Sequence, residues 1–129
     1  MDSRVYDLKG NTPDATVKTL LNLPWPGPGA GVMHVEGYVT ATLTDGSKGV
    51  SFGVRSHVAF DGSGNPVGGS QQTAGANTLP GDGGTAQGFA PPGVTFTASQ
   101  GNVAVRVTGI AATSINWRGR LKVVRNDGT

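Results

Sequence analysis

The 129-residue chain has no cysteine. That absence removes disulfides, thiolate nucleophiles and every cysteine-based zinc or iron-sulfur centre together, and it leaves the redox compartment open. Titratable groups are scarce as well: charged residues make up 14% of the chain, against a usual ~25%. The acids are seven aspartates and a single glutamate, and there are two histidines. General acid-base or paired-carboxylate chemistry needs such groups to converge in one cleft, and here there are few to draw on. No stretch approaches the ~18 consecutive apolar residues of a membrane-spanning helix, and the segment Met1 to Asp7 lacks the apolar run of a signal peptide. The expectation is a soluble chain with no standard leader, no membrane association and no cofactor.

What the chain has in excess is glycine and proline, 22 and 8 residues, together nearly twice the ~12% of average usage. This disfavours a helical bundle and suits short strands joined by many turns. Net charge is only +2, so the distribution of the basic residues says more than their sum.

Apolar residues alternate with polar ones in several runs. Met33, Val35, Gly37, Val39, Ala41 and Leu43 alternate with His34, Glu36, Thr40 and Thr42, the period-two rhythm of a half-buried strand. Asp45-Gly46-Ser47-Lys48-Gly49 then supplies a turn. A second run follows, with Val50, Phe52, Val54, Val58 and Phe60 on one face, and the pair reads as a long antiparallel hairpin. Val94, Phe96 and Ala98, the break at Gly101-Asn102, and Val103, Val105 and Val107 make a second hairpin. A final strand places Ile115, Trp117, Leu121 and Val123 opposite Asn116, Arg118, Arg120 and Lys122. Thr16 to Leu23 fits a strand through Val17, Thr19, Leu21 and Leu23, or a short capped helix behind Asp14; the strand is preferred. Residues 1–13 read as an N-terminal arm. Residues 61–93, with ten glycines and four prolines, read as a long loop carrying at most one thin edge strand near Gln71 to Thr78. The expected fold is a single all-β domain, an antiparallel β-sandwich of jelly-roll-like kind.

Candidate chemistry is sparse. The hairpin could bring His34 and His57 together, but no third metal ligand is placed by the pattern. Asp61-Gly62-Ser63-Gly64-Asn65 echoes half of a calcium loop, yet Pro66 stands where glycine belongs and Gln72 where the closing carboxylate belongs, so a plain turn is preferred. No phosphate loop or nucleophile elbow is present, and no metal, cofactor or catalytic residue is assigned; an enzyme is not expected. Arg118, Arg120 and Lys122 form a basic row ~6.6 Å apart per step, suited to an anionic partner or a neighbouring subunit. Aromatic stacking partners of the kind that single-stranded nucleic-acid binders interleave are missing from that face, so no nucleic acid is expected. Trp25, held between prolines, is the candidate interface aromatic.

The runs Asp14-Ala15-Thr16 with Thr19-Leu20, Val39-Thr40-Ala41 leading to Thr44-Asp45-Gly46, Gly101 to Gly109, and Thr113-Ser114-Ile115-Asn116-Trp117 resemble a family of small β-sandwich modules of tailed-phage virions. Such modules occur at the ends of tail fibres or as free-standing structural proteins. The resemblance implies a non-catalytic homotrimer located in the virion and assembled in the host cytoplasm. With no fibre stalk preceding it, the chain resembles most a capsid decoration (cement) protein bound to the major capsid protein or another virion protein. The alternative is a tail-fibre or tail-tip module that binds a receptor or host surface glycan.

Overall fold

A strand whose apolar residues all point one way can bury them only against a second such surface, so alternating sequences of this kind pair as layers. In the computed structural model, which describes residues 2–25, 29–67, 72–78 and 93–127, the described residues form eight strands. They are β1 (Asp2–Thr12), β2 (Val17–Pro24), β3 (Gly31–Leu43), β4 (Gly49–Phe60), β5 (Gln72–Thr78), β6 (Gly93–Ser99), β7 (Asn102–Thr108) and β8 (Ile115–Asn126). Five make one sheet in the order β1-β8-β3-β4-β5 and three make the other in the order β2-β7-β6, and every pairing is antiparallel. The result is the expected all-β sandwich. The nesting of β1 with β8 and of β2 with β7 gives it a jelly-roll character, which ends at the third level because β3 pairs with its own hairpin partner β4.

The core lies between the sheets and is built from the residues the alternation selects. Met33, Val35, Val39 and Ala41 of β3, Phe52, Val54, Val58 and Phe60 of β4, Val103, Val105 and Val107 of β7, and Ile115, Trp117, Leu121 and Val123 of β8 are all buried. Trp117 is fully enclosed, stacks on Phe52 at 6.2 Å between ring centroids, and donates its indole N–H to Thr12 Oγ1 at 2.9 Å. Both partners of that bond are inaccessible to water. Among the described residues no buried side-chain nitrogen or oxygen lacks a hydrogen bond, as a low-dielectric interior requires.

One segment departs from the sequence expectation and two others refine it. Residues 2–12 are not an arm but the full-length strand β1, hydrogen-bonded to β8 from Asp2↔Arg125 to Thr12↔Ile115. Their inward side chains are the modest set Tyr6, Leu8 and Thr12, in which the apolar rhythm is weak. The segment expected as a strand over Thr16 to Leu23 is β2 (Val17–Pro24), but a register shift between Thr19 and Leu21 breaks its alternation. Val17 is therefore exposed and Leu20 and Leu21 are both half-buried, while Leu23 is enclosed. Within 61–93, Gln72–Thr78 forms β5 along the free side of β4, where the thin edge strand was expected; residues 68–71 and 79–92 lie outside the described residues.

Arg125 shows how the two sheets are tied at one end. It is buried, donates from Nε to the Pro24 carbonyl at 2.8 Å and from an Nη to the Tyr6 hydroxyl at 2.9 Å, and holds its guanidinium 5.7 Å from the Tyr6 ring centroid. A delocalised, weakly hydrated cation tolerates such a position better than an ammonium would.

Thr12→Val keeps the shape of the side chain but strands the Trp117 N–H without an acceptor, at a cost of roughly 1–3 kcal/mol. Urea unfolding followed by tryptophan fluorescence should show that loss with an unchanged m-value. A midpoint equal to that of the parent would mean that the indole finds another acceptor.

Candidate functional site

The side chains of the five-stranded sheet that do not enter the core form its outer face, and the strand register sets their order. One row across the sheet reads Asp7, Arg120, Tyr38, Gly53 on β1, β8, β3 and β4; the next reads Val5, Lys122, Glu36, Arg55. On the other side of the first row lie Lys9, Arg118, Thr40 and Ser51. The expected basic row of Arg118, Arg120 and Lys122 is thus present, exposed, and set in the middle of a broad sheet.

Five of the chain's ten basic side chains but only two of its eight acids lie on this face, a net +3: Lys9, Arg55, Arg118, Arg120 and Lys122 against Asp7 and Glu36. Arg120 is engaged, donating from Nε to Asp7 Oδ1 at 2.8 Å with a longer second contact of 3.5 Å from Nη to Oδ2. The hydrogen bond and the charge of Arg120 hold the Asp7 carboxyl below its ordinary range, and Asp7 in turn raises Arg120. Glu36 faces His34, at 3.4 Å between carboxylate and imidazole. No carboxylate among the described residues lies within ion-pair distance of Arg55, Arg118 or Lys122.

Tyr38 is the residue that reading strand by strand misses. Its side chain is 58% exposed, and it stands directly across from Arg120 on one side and from Gly53, which has no side chain, on the other. The basic strand lacks an aromatic of its own on this face, but the β3–β8 register supplies one from 82 residues away in sequence. Parity contained the signal, since Tyr38 falls at an even position of β3 beside His34, Glu36 and Thr40. Two glycines hold the pair close. A Cβ on Gly37 would run into the Arg120 carbonyl, and a Cβ on Gly119 would come within 2.7 Å of the Tyr38 carbonyl.

The other candidates fall elsewhere. Trp25 is not an exposed interface aromatic within this chain. It is 4% exposed, stacked on Phe60 at 4.9 Å and 10°, with its indole N–H donating to the Gly29 carbonyl at 2.9 Å. The flanking prolines suggested exposure, but the ring closes the end of the core against Phe60 and lies beside Gly31. His34 and His57 are cross-strand partners, and among the described residues no group of three potential metal ligands assembles around them or anywhere else. Asp61 makes a plain turn, its Oδ1 accepting the backbone N–H groups of Ser63 at 2.9 Å and Asn65 at 3.0 Å, with Gly64 at the positive φ of 80° that the turn needs.

No protein-family model and no curated sequence matches this chain. Two solved structures are similar in fold. The tailspike protein of Acinetobacter baumannii phage AM24 matches over 98% of this chain with a TM-score of 0.51 and 9% sequence identity. The tailspike protein of Acinetobacter phage vB_ApiP_P1 matches over 97% at a TM-score of 0.40 and 13% identity. The matched regions span 27% and 21% of those chains, so this chain corresponds to a minor part of either protein.

Three aspartates carry a pH dependence. Hydrogen bonds from Arg120 to Asp7, from Thr16 to Asp14 and from Ser47 to Asp45 lower each carboxyl from its ordinary value. A carboxyl whose folded pKa is depressed contributes stability that is complete above its unfolded value of about 3.9 and disappears as pH falls through the folded value. Thermal midpoints measured between pH 6 and pH 2 should therefore stay level and then fall below about pH 4. Asp45→Asn combined with Asp14→Asn should flatten that fall; an equally steep profile in the double variant would assign the acid sensitivity to other groups.

Proposed function

We propose that this chain is a non-catalytic structural module of a bacteriophage virion, associated with the tail and assembled as a homotrimer. The observation that carries the proposal is the fold likeness of nearly the whole chain to one segment of a tailspike protein, together with the sequence resemblance to virion β-sandwich modules. Capsid decoration is the second reading; the likeness to a tailspike makes the tail the preferred location.

The surface supports this reading. The outer face of the three-stranded sheet presents Thr95, Thr97, Ser99, Asn102 and Thr108 with Arg106, and Val17, Thr19 and Asn22 from β2, a face of mostly small polar groups suited to lying against other protein. Among the described residues, β1, β5 and β2 lie at the ends of their sheets, where a neighbouring chain can meet their backbone donors and acceptors. Closed cyclic symmetry is the ordinary way for identical chains to satisfy such surfaces. Among the described residues the acids are dispersed, with Asp7 paired to Arg120 and Asp14, Asp45 and Asp61 each shaping a turn. This does not resemble the facing carboxylates of glycoside hydrolysis.

Mass photometry should give a species of three times the 13.0 kDa chain mass, and mass spectrometry of separated phage heads and tails should find the protein in the tail fraction. A strict monomer removes the trimer, and recovery with heads alone moves the module to the capsid.

A further inference from the structure

We infer that the outer face of the five-stranded sheet is a binding site for an acidic polysaccharide, with Tyr38 as the platform for a sugar ring and Arg118, Lys122 and Arg55 receiving its carboxylates. The inference deepens the tail-associated reading, on which it rests only for the setting in which such a polymer would be met. The contact itself rests on four features of the face.

The first is Tyr38. An exposed tyrosine at the centre of a rigid sheet has few rotors to immobilise and offers a large amphipathic surface, so docking costs it little entropy. Gly53 leaves the β4 side of Tyr38 without a neighbouring side chain, and Arg120 on the β8 side is held by Asp7. The C–H face of a pyranose can stack on the ring while its hydroxyls reach the polar groups around it.

The second feature is the set of available cations. Arg118, Lys122 and Arg55 surround Tyr38 on the two adjoining rows and have no carboxylate among the described residues within ion-pair distance; Glu36, which stands between Lys122 and Arg55 in its row, is turned to His34 at 3.4 Å. Arginine offers a planar fork that fits a carboxylate in bidentate fashion. A polymer bearing a carboxylate on its repeating sugar would meet these cations on both sides of the stacked ring.

The third feature is the sign of the face. At net +3 it repels a second copy of itself, so face-to-face self-association is disfavoured, whereas a polyanion is attracted over about a Debye length, ~10 Å at 0.1 M salt. The fourth is its reach. Five strands at ~4.8 Å spacing carry the face across about 19 Å, with side-chain rows ~6.6 Å apart along each strand, room for several sugar units. A single-stranded nucleic acid would also be drawn by the charge, but such binders stack successive bases on several aromatics, and Tyr38 is the one phenylalanine, tyrosine or tryptophan among the described side chains of this face.

The test is affinity electrophoresis of the whole chain through native gels containing polygalacturonate, neutral dextran or oligo(dT), at low and at moderate salt. Polygalacturonate should retard the protein and dextran should not. Tyr38→Ala should weaken retardation roughly tenfold, the order of one stacked aromatic contact, while Tyr38→Phe retains it. The double variant Arg118→Ala with Lys122→Ala should weaken it at least as much. Arg106→Ala, which removes one positive charge from the opposite sheet, should leave it unchanged, and circular dichroism should show all variants folded. Equal retardation by dextran, tighter binding of oligo(dT), an unaffected Tyr38→Ala, or an Arg106→Ala as weak as the double variant would each overturn the inference. Absence of the protein from phage tails, by contrast, would remove only the tail setting, since the gel result stands on the isolated protein.

Discussion

The pairing of β8 with β3 sets the position of nearly everything else. β8 lies between β1 and β3 and is hydrogen-bonded along both sides. Its inward residues Ile115, Trp117, Leu121 and Val123 fill the centre of the core, while its outward residues Asn116, Arg118, Arg120 and Lys122 form the spine of the charged face. Because side chains alternate strictly, a slip of one residue would push Arg118 into the core and put Trp117 into water. The apolar core therefore fixes the register, and the register then decides which residues from distant parts of the chain meet on the outside. Tyr38 faces Arg120 because Gly37 faces Leu121 and Val39 faces Gly119.

Charge is distributed to agree with that division. Arg125 belongs by parity to the inward side of β8, and it is accommodated by giving its donors to Pro24 and Tyr6 at the rim of the core. The remaining cations of β8 stay in water, where a pair such as Arg120 with Asp7 adds little to stability but gives both side chains a defined place. Holding Arg120 in place before a ligand arrives lowers the entropy lost on binding beside it.

How much of this could be read from the chain depends on the range of the interaction involved. The alternation in β3, β4 and β8 follows directly from burial of one face, so those strands and their core residues were legible, as was the basic row. β1 was not, because its inward positions Tyr6, Leu8, Gly10 and Thr12 carry too little apolar contrast; its identity comes from pairing with β8, more than a hundred residues away. The bulge in β2 defeats any rule of strict alternation. Trp25 misleads for a related reason: proline-rich surroundings suggest a surface turn, while burial against Phe60 depends on where the returning strand places that ring. The meeting of Tyr38 with Arg120 needs a sheet order as well as a strand pattern, and periodicity supplies only the second.

The registration of Asp2 against Arg125 has a mechanical consequence. Since the first and last strands run antiparallel as neighbours, both ends of the fold emerge side by side. A tension applied between those ends would peel β1 away from β8 one hydrogen bond at a time, an unzipping geometry that yields at lower force than simultaneous shearing of the whole ladder. In a polypeptide that enters through β1 and leaves through β8, such a module would hang beside the main axis as a pendant, and strain along that axis would bypass its binding face.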